Sequence, residues 1–218
     1  NMAISLVNNL SMNRSDAAVA DQVWTATSAT LSDFQALPAS AGMWTKIVNK
    51  EITSSTASLE FVDGTGGVVF DSTYQYYMLM FRNYVGTVAD RKMALEISLD
   101  TGVSWKSSGY EGYSYQSGYV DSKRLSYTYS MIATQEMGIV AGEGAFGFIM
   151  LENPSQTKLP TSLYLITQGQ NSQDPQGYNY VGGGTYMTST AYDGIRITTS
   201  GGSGAIETVE ATLWGATD

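Results

Sequence analysis

Residues 192–215 read YDGIRITTSGGSGAIETVEATLWG, two arms of alternating apolar and polar residues around a Ser-Gly-rich centre. Alternation with a period of two is typical of strands that bury one face. The glycines between the arms, from Gly201 to Gly204, can adopt the positive φ that a tight turn needs. The stretch therefore predicts a closing β-hairpin whose second arm is paired inside a sheet.

The same period recurs upstream and extends the β prediction over most of the chain. Residues 93–100 alternate apolar and polar side chains and predict a strand that buries one face. Residues 74–85 are apolar on both faces and predict a central strand. The remaining predicted strands are residues 44–52, 57–62, 103–106, 125–132, 145–151 and 162–168. Short strands with Gly-rich turns and no helical crossovers predict an all-β, antiparallel two-sheet β-sandwich, jelly-roll-like, over residues 44–218.

Residues 1–43 differ in composition from the rest of the chain. They are rich in Ala, Ser, Thr and Asn and carry few large apolar side chains. Ser15 is a candidate N-cap for a short helix from Asp16 to Thr25. Pro38 and Gly42 mark a break after it. We interpret this segment as an extended or partly helical anchoring arm, through which the chain would join other proteins.

Charge and hydropathy together exclude two classes of partner, nucleic acids and the membrane interior. The chain has 218 residues and a formal net charge of −9, yet only 14% of its residues are charged. An acidic chain without a Lys/Arg run cannot neutralise phosphates, so we expect no nucleic-acid binding. No apolar run approaches the length of a membrane-spanning helix, so we expect no membrane insertion. A surface made soluble by uncharged polar groups suits a protein that packs into an assembly or meets sugars.

The sequence lacks Cys and His altogether. Disulfides, thiol nucleophiles, Ser-His-Asp hydrolysis and His-ligated metals are therefore excluded. Four carboxylates raise the alternatives of a calcium site or a glycosidase pair: Asp63, Asp71, Glu96 and Asp100. Asp63 and Asp100 stand next to turn residues, and Asp71 precedes Ser and Thr, which is ordinary turn chemistry. We predict no catalytic residue, no metal ligand and no cofactor, and expect a protein that is not an enzyme.

Two polar-aromatic segments, residues 107–119 and 168–185, are predicted as long loops, which are uncommon unless functional or held by a partner. Their tyrosines could stack on sugar rings while nearby polar groups bond hydroxyls, or they could pack between subunits, where Tyr is enriched. Both alternatives stay open at the sequence level. The candidate glycan or subunit contacts are Tyr110, Tyr113, Tyr115, Tyr119, Asp174, Tyr178 and Tyr180.

Four motifs, taken in their order along the chain, resemble those of a known family. They are FDSTYQYY at residues 70–77, LEISLDTGVSW at 95–105, DGIRI at 193–197 and ATLWG at 211–215. Together they resemble a family of tailed-bacteriophage virion proteins, tail fibre or minor structural proteins with a C-terminal β-sandwich head domain. The chain departs from that pattern at Thr101, where a second Gly is usual, and at Trp214, where Tyr is usual.

The resemblance implies a virion structural protein displayed on the particle surface as a homo-oligomer, with a trimer as the expected state. It implies a tail fibre or spike-type component that contributes to attachment to host-surface glycan, with residues 1–43 bound to other virion proteins. A capsid decoration or head-fibre protein that stabilises the shell is the alternative. A polysaccharide depolymerase is a third, and it would need a carboxylate pair in a groove.

Overall fold

The computed structural model describes residues 22–26, 32–36, 43–89, 91–117, 123–129, 131–132, 143–152, 154–157, 161–171, 174–200 and 204–217. Its contacts divide the chain into two units between Gly42 and Met43, one residue from the predicted boundary. In the first unit, β1 (Gln22–Ala26) pairs antiparallel with β2 (Ser32–Ala36). The helix predicted up to Thr25 is therefore wrong from Gln22 onward, because a Val-Trp-Thr run favours a strand. Residues 16–21 of that predicted helix lie outside the described residues.

The second unit is all-β in its described residues. Its strands are β3 (Thr45–Ile52), β4 (Ser58–Val62), β5 (Tyr76–Gly86), β6 (Met93–Ser98), β7 (Ser108–Ser117), β8 (Lys123–Tyr129), β9 (Met131–Ile132), β10 (Ala145–Glu152), β11 (Thr161–Asn171), β12 (Asp174–Tyr186), β13 (Gly194–Thr199) and β14 (Ile206–Ala216). An eight-stranded sheet has the order β3-β14-β5-β10-β11-β12-β7-β8, and a four-stranded sheet has the order β4-β13-β6-β9. Every pairing is antiparallel and the sheets pack together, which confirms the predicted β-sandwich.

The closing arms form strands, but they do not pair with each other. β13 lies between β4 and β6 in the small sheet, whereas β14 lies between β3 and β5 in the large one. The predicted hairpin is therefore wrong, because its two arms belong to different sheets. Alternation specifies which face of a strand is buried and leaves its partner open. Both arms turn their apolar residues toward the same interior.

The core lies between the two sheets. Leu95, Ile97 and Ile197 of the small sheet and Leu79 and Leu213 of the large sheet are fully buried there. Two polar contacts also link the sheets across it. The Ile97 amide donates to the hydroxyl of Tyr110, 2.9 Å away, and the Lys50 ammonium donates to the Glu60 carbonyl at 2.8 Å.

Strand β6 is buried on both faces along its whole length, so the prediction of a one-sided strand at residues 93–100 is wrong. The face that carries Glu96 is covered by Arg196 of the neighbouring β13. Arg196 Nε and Nη2 donate to one Glu96 carboxylate oxygen at 2.9 and 2.6 Å, and the guanidinium carbon lies 4.9 Å from the centre of the Trp105 ring. The ion pair and the indole ring thus cover the face of β6 that the sequence predicts to be polar and exposed.

The two Tyr-rich segments are strands, and the prediction of loops there is wrong. Residues 108–117 form β7, and residues 168–185 cover the end of β11 and most of β12. Gly- and Ser-rich composition favours turns locally, but pairing with a neighbour on each side outweighs that preference. Residues 103–106, predicted as a strand, contribute only an isolated bridge from Lys106 to Ile97.

Candidate functional site

The eight-stranded sheet has an outer face, turned away from the small sheet, that carries a continuous apolar row. Directly opposed residues run from Met80 on β5 through Phe148, Ile166 and Val181 to Tyr115 on β7. Neighbouring strands lie about 4.8 Å apart, so this row spans about 20 Å. Opposed residues of an antiparallel pair share a face, and these side chains therefore form one surface.

A second row lies beside the first on the same face. Met78 on β5, Met150 on β10 and Tyr164 on β11 are directly opposed. We use the term outer apolar face for the exposed apolar side chains of both rows and of the adjoining end of β5. They are Tyr76, Met80, Tyr115, Tyr164, Ile166 and Val181. Tyr115 is 53% exposed and Tyr164 is 48% exposed in the single chain, so large aromatic area is open to solvent. A contiguous exposed apolar surface is a candidate for an interaction site.

The sequence-predicted tyrosines separate onto the two faces of the large sheet. Tyr115 lies on the outer apolar face. Tyr110 and Tyr180 lie on the inner face, each 1% exposed. These two belong to the core, which removes them from any surface that touches a sugar or a second subunit.

The other candidates fall outside the outer apolar face or outside the described side chains. Tyr178 is half-buried and pairs with Gly169 across β12 and β11. Tyr113 and Asp174 are described by backbone position only, opposite Gly183 and Asn171. Tyr119 lies outside the described residues.

A groove of about 900 Å³ opens at one end of the large sheet. It crosses the strands instead of following one of them, with lining residues from β3, β14, β5, β10, β11 and β12. Side chains that turn toward the outer side include Glu51, Asn83, Phe146, Gln168 and Glu210. Phe146 is 54% exposed and lies two residues along β10 from the apolar row. Groove and outer apolar face are thus neighbours on the same sheet.

A β-bulge in β5 shapes this groove. Against β10 the register shifts between Ala145 and Gly147, and against β14 it shifts between Thr208 and Glu210. Asn83 stands at the bulge with φ of 55°, in the left-handed region. The Thr208 hydroxyl donates to the Asn83 carbonyl at 2.8 Å and holds this backbone in place. Bulges bend a strand and redirect side chains, and they are frequent beside functional sites.

The described groove lining is acidic. Glu51, Glu143, Glu207 and Glu210 belong to it, and no Lys or Arg occurs among the lining residues that the structure describes. Glu51 and Glu210 are directly opposed on β3 and β14, a like-charge cross-strand pair that disfavours pairing. Arg82 offsets part of this repulsion through its guanidinium, which lies 2.6 Å from a Glu210 carboxylate oxygen.

The aspartates considered for calcium or catalysis act as turn acceptors. Asp63 accepts a hydrogen bond from the Phe70 amide at 2.8 Å, and Asp71 accepts one from the Thr73 amide at 2.7 Å. Hydrogen bonds from Ser104, and then from Ser98, lower the pKa of Asp100 below its usual value. Within the described part of the chain, no three His, Cys, Asp or Glu residues converge on a possible metal site.

Sequence reasoning missed most of the outer apolar face and all of the groove. One signal for the face was present, because residues 74–85 are apolar on both sides of the strand and a sandwich covers only one side. The groove had no comparable signal, since its lining comes from six strands brought together by long-range pairing. Even the bulge at Asn83 depends on partners far away in sequence.

No family model, curated protein or solved structure matches this chain. Among the described residues, no helix is long and apolar enough to cross a bilayer.

Proposed function

We propose that this chain is a non-enzymatic structural protein of a tailed-phage particle, which assembles with copies of itself through the outer apolar face. The observation that carries the assembly is the apolar row from Met80 to Tyr115, which crosses five strands of one sheet and is exposed on all of them except β10, where Phe148 is half-buried. The inner face of that sheet is covered by the small sheet. A sheet that is apolar on both faces is stable in water when both are covered.

A second copy of the chain is a partner that matches the uncharged row. The molecule carries a formal net charge of −9, so copies repel one another over most of their surface. The row from Met80 to Tyr115 contains no ionisable side chain other than the tyrosine phenol. Two such faces can meet without burying an unpaired charge. We expect a homo-oligomer, and a trimer is the state that the family resemblance implies.

The placement on a phage particle rests on the motifs at residues 70–77, 95–105, 193–197 and 211–215. In this proposal the sandwich is displayed at the particle surface as a tail fibre or spike-type component and contributes to attachment to the host surface. Residues 1–43 join it to other virion proteins.

The oligomeric state of the purified chain tests the assembly. Analytical ultracentrifugation of the wild type should give a concentration-dependent oligomer at micromolar protein. Ile166→Glu places a carboxylate in the middle of the row and should yield a monomer, because a buried unpaired charge costs several kcal/mol. Val103→Glu is the matched control, since Val103 is 84% exposed in the turn after β6 and lies outside the row. A wild type that stays monomeric at every concentration would contradict the proposal.

Immunogold labelling of intact particles tests the placement. Gold at the tail tip or baseplate supports the tail component, and gold over the head would replace it by the capsid decoration alternative. A particle preparation that carries no gold would overturn the virion assignment itself.

A further inference from the structure

We infer that the groove beside the β5 bulge binds an oligosaccharide that carries amino groups. This inference deepens the proposed function and rests on it for its biological setting, attachment to a host surface. The candidate sugar site is then not at the tyrosines but at Glu51, Asn83, Phe146, Gln168 and Glu210, of which only Gln168 belongs to a polar-aromatic segment predicted from the sequence.

The shape of the groove suits a short chain of rings. Its volume of about 900 Å³ is within the usual range for ligand sites. Because it crosses strands from β3 to β12, a linear ligand would lie across the sheet and contact side chains from several strands. The bulge at Asn83 creates this concavity in an otherwise pleated face.

Phe146 offers the apolar platform that a sugar ring needs. Its side chain is 54% exposed at the groove, an unusual position for a phenyl ring in a single chain. The C–H-rich face of a pyranose can pack on such a ring while its hydroxyls point outward. Ligand sites typically combine an aromatic wall with a few placed polar groups.

The polar groups around Phe146 match hydroxyl chemistry. Gln168 is directly opposed to Phe146 on β11, and its amide supplies both donors and an acceptor. Gln170 and Asn83 add two more amide side chains to the lining, and Thr208 adds a hydroxyl. A hydroxyl both donates and accepts, so a lining rich in amides suits it better than a lining of one sign.

The carboxylates of the groove determine which ligand charge the groove favours. Glu51 and Glu210 oppose each other directly, and Arg82 pairs with only the second of them. An ammonium group near Glu51 would relieve this like-charge pair, whereas a sugar acid would add to it. The groove therefore favours neutral and amino sugars over acidic ones.

A basic peptide is the competing ligand, and the strand pairing disfavours it. Extended peptides gain affinity by adding to an open sheet edge. Of the strands that line the groove, β14, β5, β10, β11 and β12 are paired on both sides, and β3 alone has an open edge. A peptide that follows the groove would cross the strands instead of adding to that edge, so its backbone groups would lack such partners, while a saccharide uses side-chain contacts alone.

Calorimetric titration of the full chain tests the inference with two matched probes, a glucosamine hexamer and its N-acetylated counterpart. We expect both to bind with millimolar or tighter affinity, the amino form being tighter by about fivefold, as one solvent-exposed ion pair allows. Phe146→Leu removes the ring face but keeps apolar volume, and it should weaken both probes about tenfold. Glu51→Gln should abolish the preference for the amino form.

Met187→Ala is the control, because Met187 is 53% exposed and lies outside both the groove lining and the outer apolar face. It should leave both affinities within about twofold of wild type. Trilysine is the third probe. If it binds as tightly as the glucosamine hexamer and Phe146→Leu changes neither, the groove is a site for basic peptides and the inference fails.

Absence of binding by both hexamers at 10 mM would also overturn the inference. Neither result bears on the proposed assembly or on the placement in the particle, because centrifugation and immunogold labelling test these without any sugar. Failure of the saccharide site and failure of the proposed function can thus be told apart.

Discussion

At the scale of single residues, Arg196 of the small sheet lies between two glutamates and neutralises a buried one. It is directly opposed to Glu60 on one side and to Glu96 on the other. Glu96 is only 5% exposed and accepts two hydrogen bonds from the Arg196 guanidinium on one oxygen. Removal of Arg196 would leave a carboxylate buried without its counter-charge, which is far more costly than loss of an exposed pair.

We therefore expect Arg196→Leu to lower the free energy of unfolding by about 3 kcal/mol, measured by urea denaturation. Arg82→Leu is the matched control. The Arg82 side chain is 66% exposed in its pair with Glu210, so its loss should cost under about 0.5 kcal/mol. Equal losses in the two variants would mean that burial of Glu96 does not strengthen the pair.

At the scale of the strands, β11 packs closely against β10 at Gly147. A Cβ at this position would lie 2.7 Å from the Thr167 Cα and 2.8 Å from Thr167 Cγ2, far inside van der Waals contact. Gly147→Ala should therefore destabilise the fold by about 2 kcal/mol, because the backbone of β11 would have to shift.

Gly86→Ala on β5 is the comparison for thermal denaturation. A Cβ there would meet its nearest atoms at 3.7 and 3.8 Å, which is ordinary contact. We expect a lowering of Tm that is clearly smaller than for Gly147→Ala. Similar shifts for the two variants would show that loss of glycine alone, and not the close approach of β10 to β11, determines the cost.

Where side chains alternate, the sequence predicts that a segment is a strand. It does not predict which strand that segment pairs with. Residues 193–215 indicate two strands correctly, yet one strand joins each sheet, because the period of two carries no information on pairing. The Tyr-, Gly- and Ser-rich strands β7 and β12 have the local composition of turns, and only their neighbours make them strands. The groove depends on a bulge and on six strands at once, so no local window could reveal it.

At the scale of the whole molecule, the core contains an unusual number of tyrosines. Tyr84, Tyr110 and Tyr192 are each at most 2% exposed, and they come from three different strands or turns around the interior. Burial is the main cause that raises the pKa of each phenol well above its usual value. The folded state favours the neutral form of each phenol, so the stability of the whole sandwich depends on pH.

The sign of this linkage predicts alkaline unfolding. Below about pH 10, these phenols are neutral in both the folded and the unfolded chain, and their contribution to stability is fully present. Above it they ionise only in the unfolded chain, so three of them remove about 4 kcal/mol of stability per pH unit. With a stability of about 5–12 kcal/mol, within the typical range, cooperative unfolding should occur between about pH 11 and 13.

Absorbance at 295 nm and circular dichroism, recorded together along an alkaline titration, check this expectation. Exposed tyrosines should ionise first, and a second, steep rise in tyrosinate should coincide with loss of the β signal. Tyr84→Phe should move that midpoint to higher pH at little cost near neutrality, because its hydroxyl makes only a long 3.4 Å hydrogen bond to the Thr198 carbonyl. Gradual ionisation of all tyrosines in an intact fold would contradict the linkage, since burial is the largest cause that opposes ionisation of each of these phenols in the folded chain.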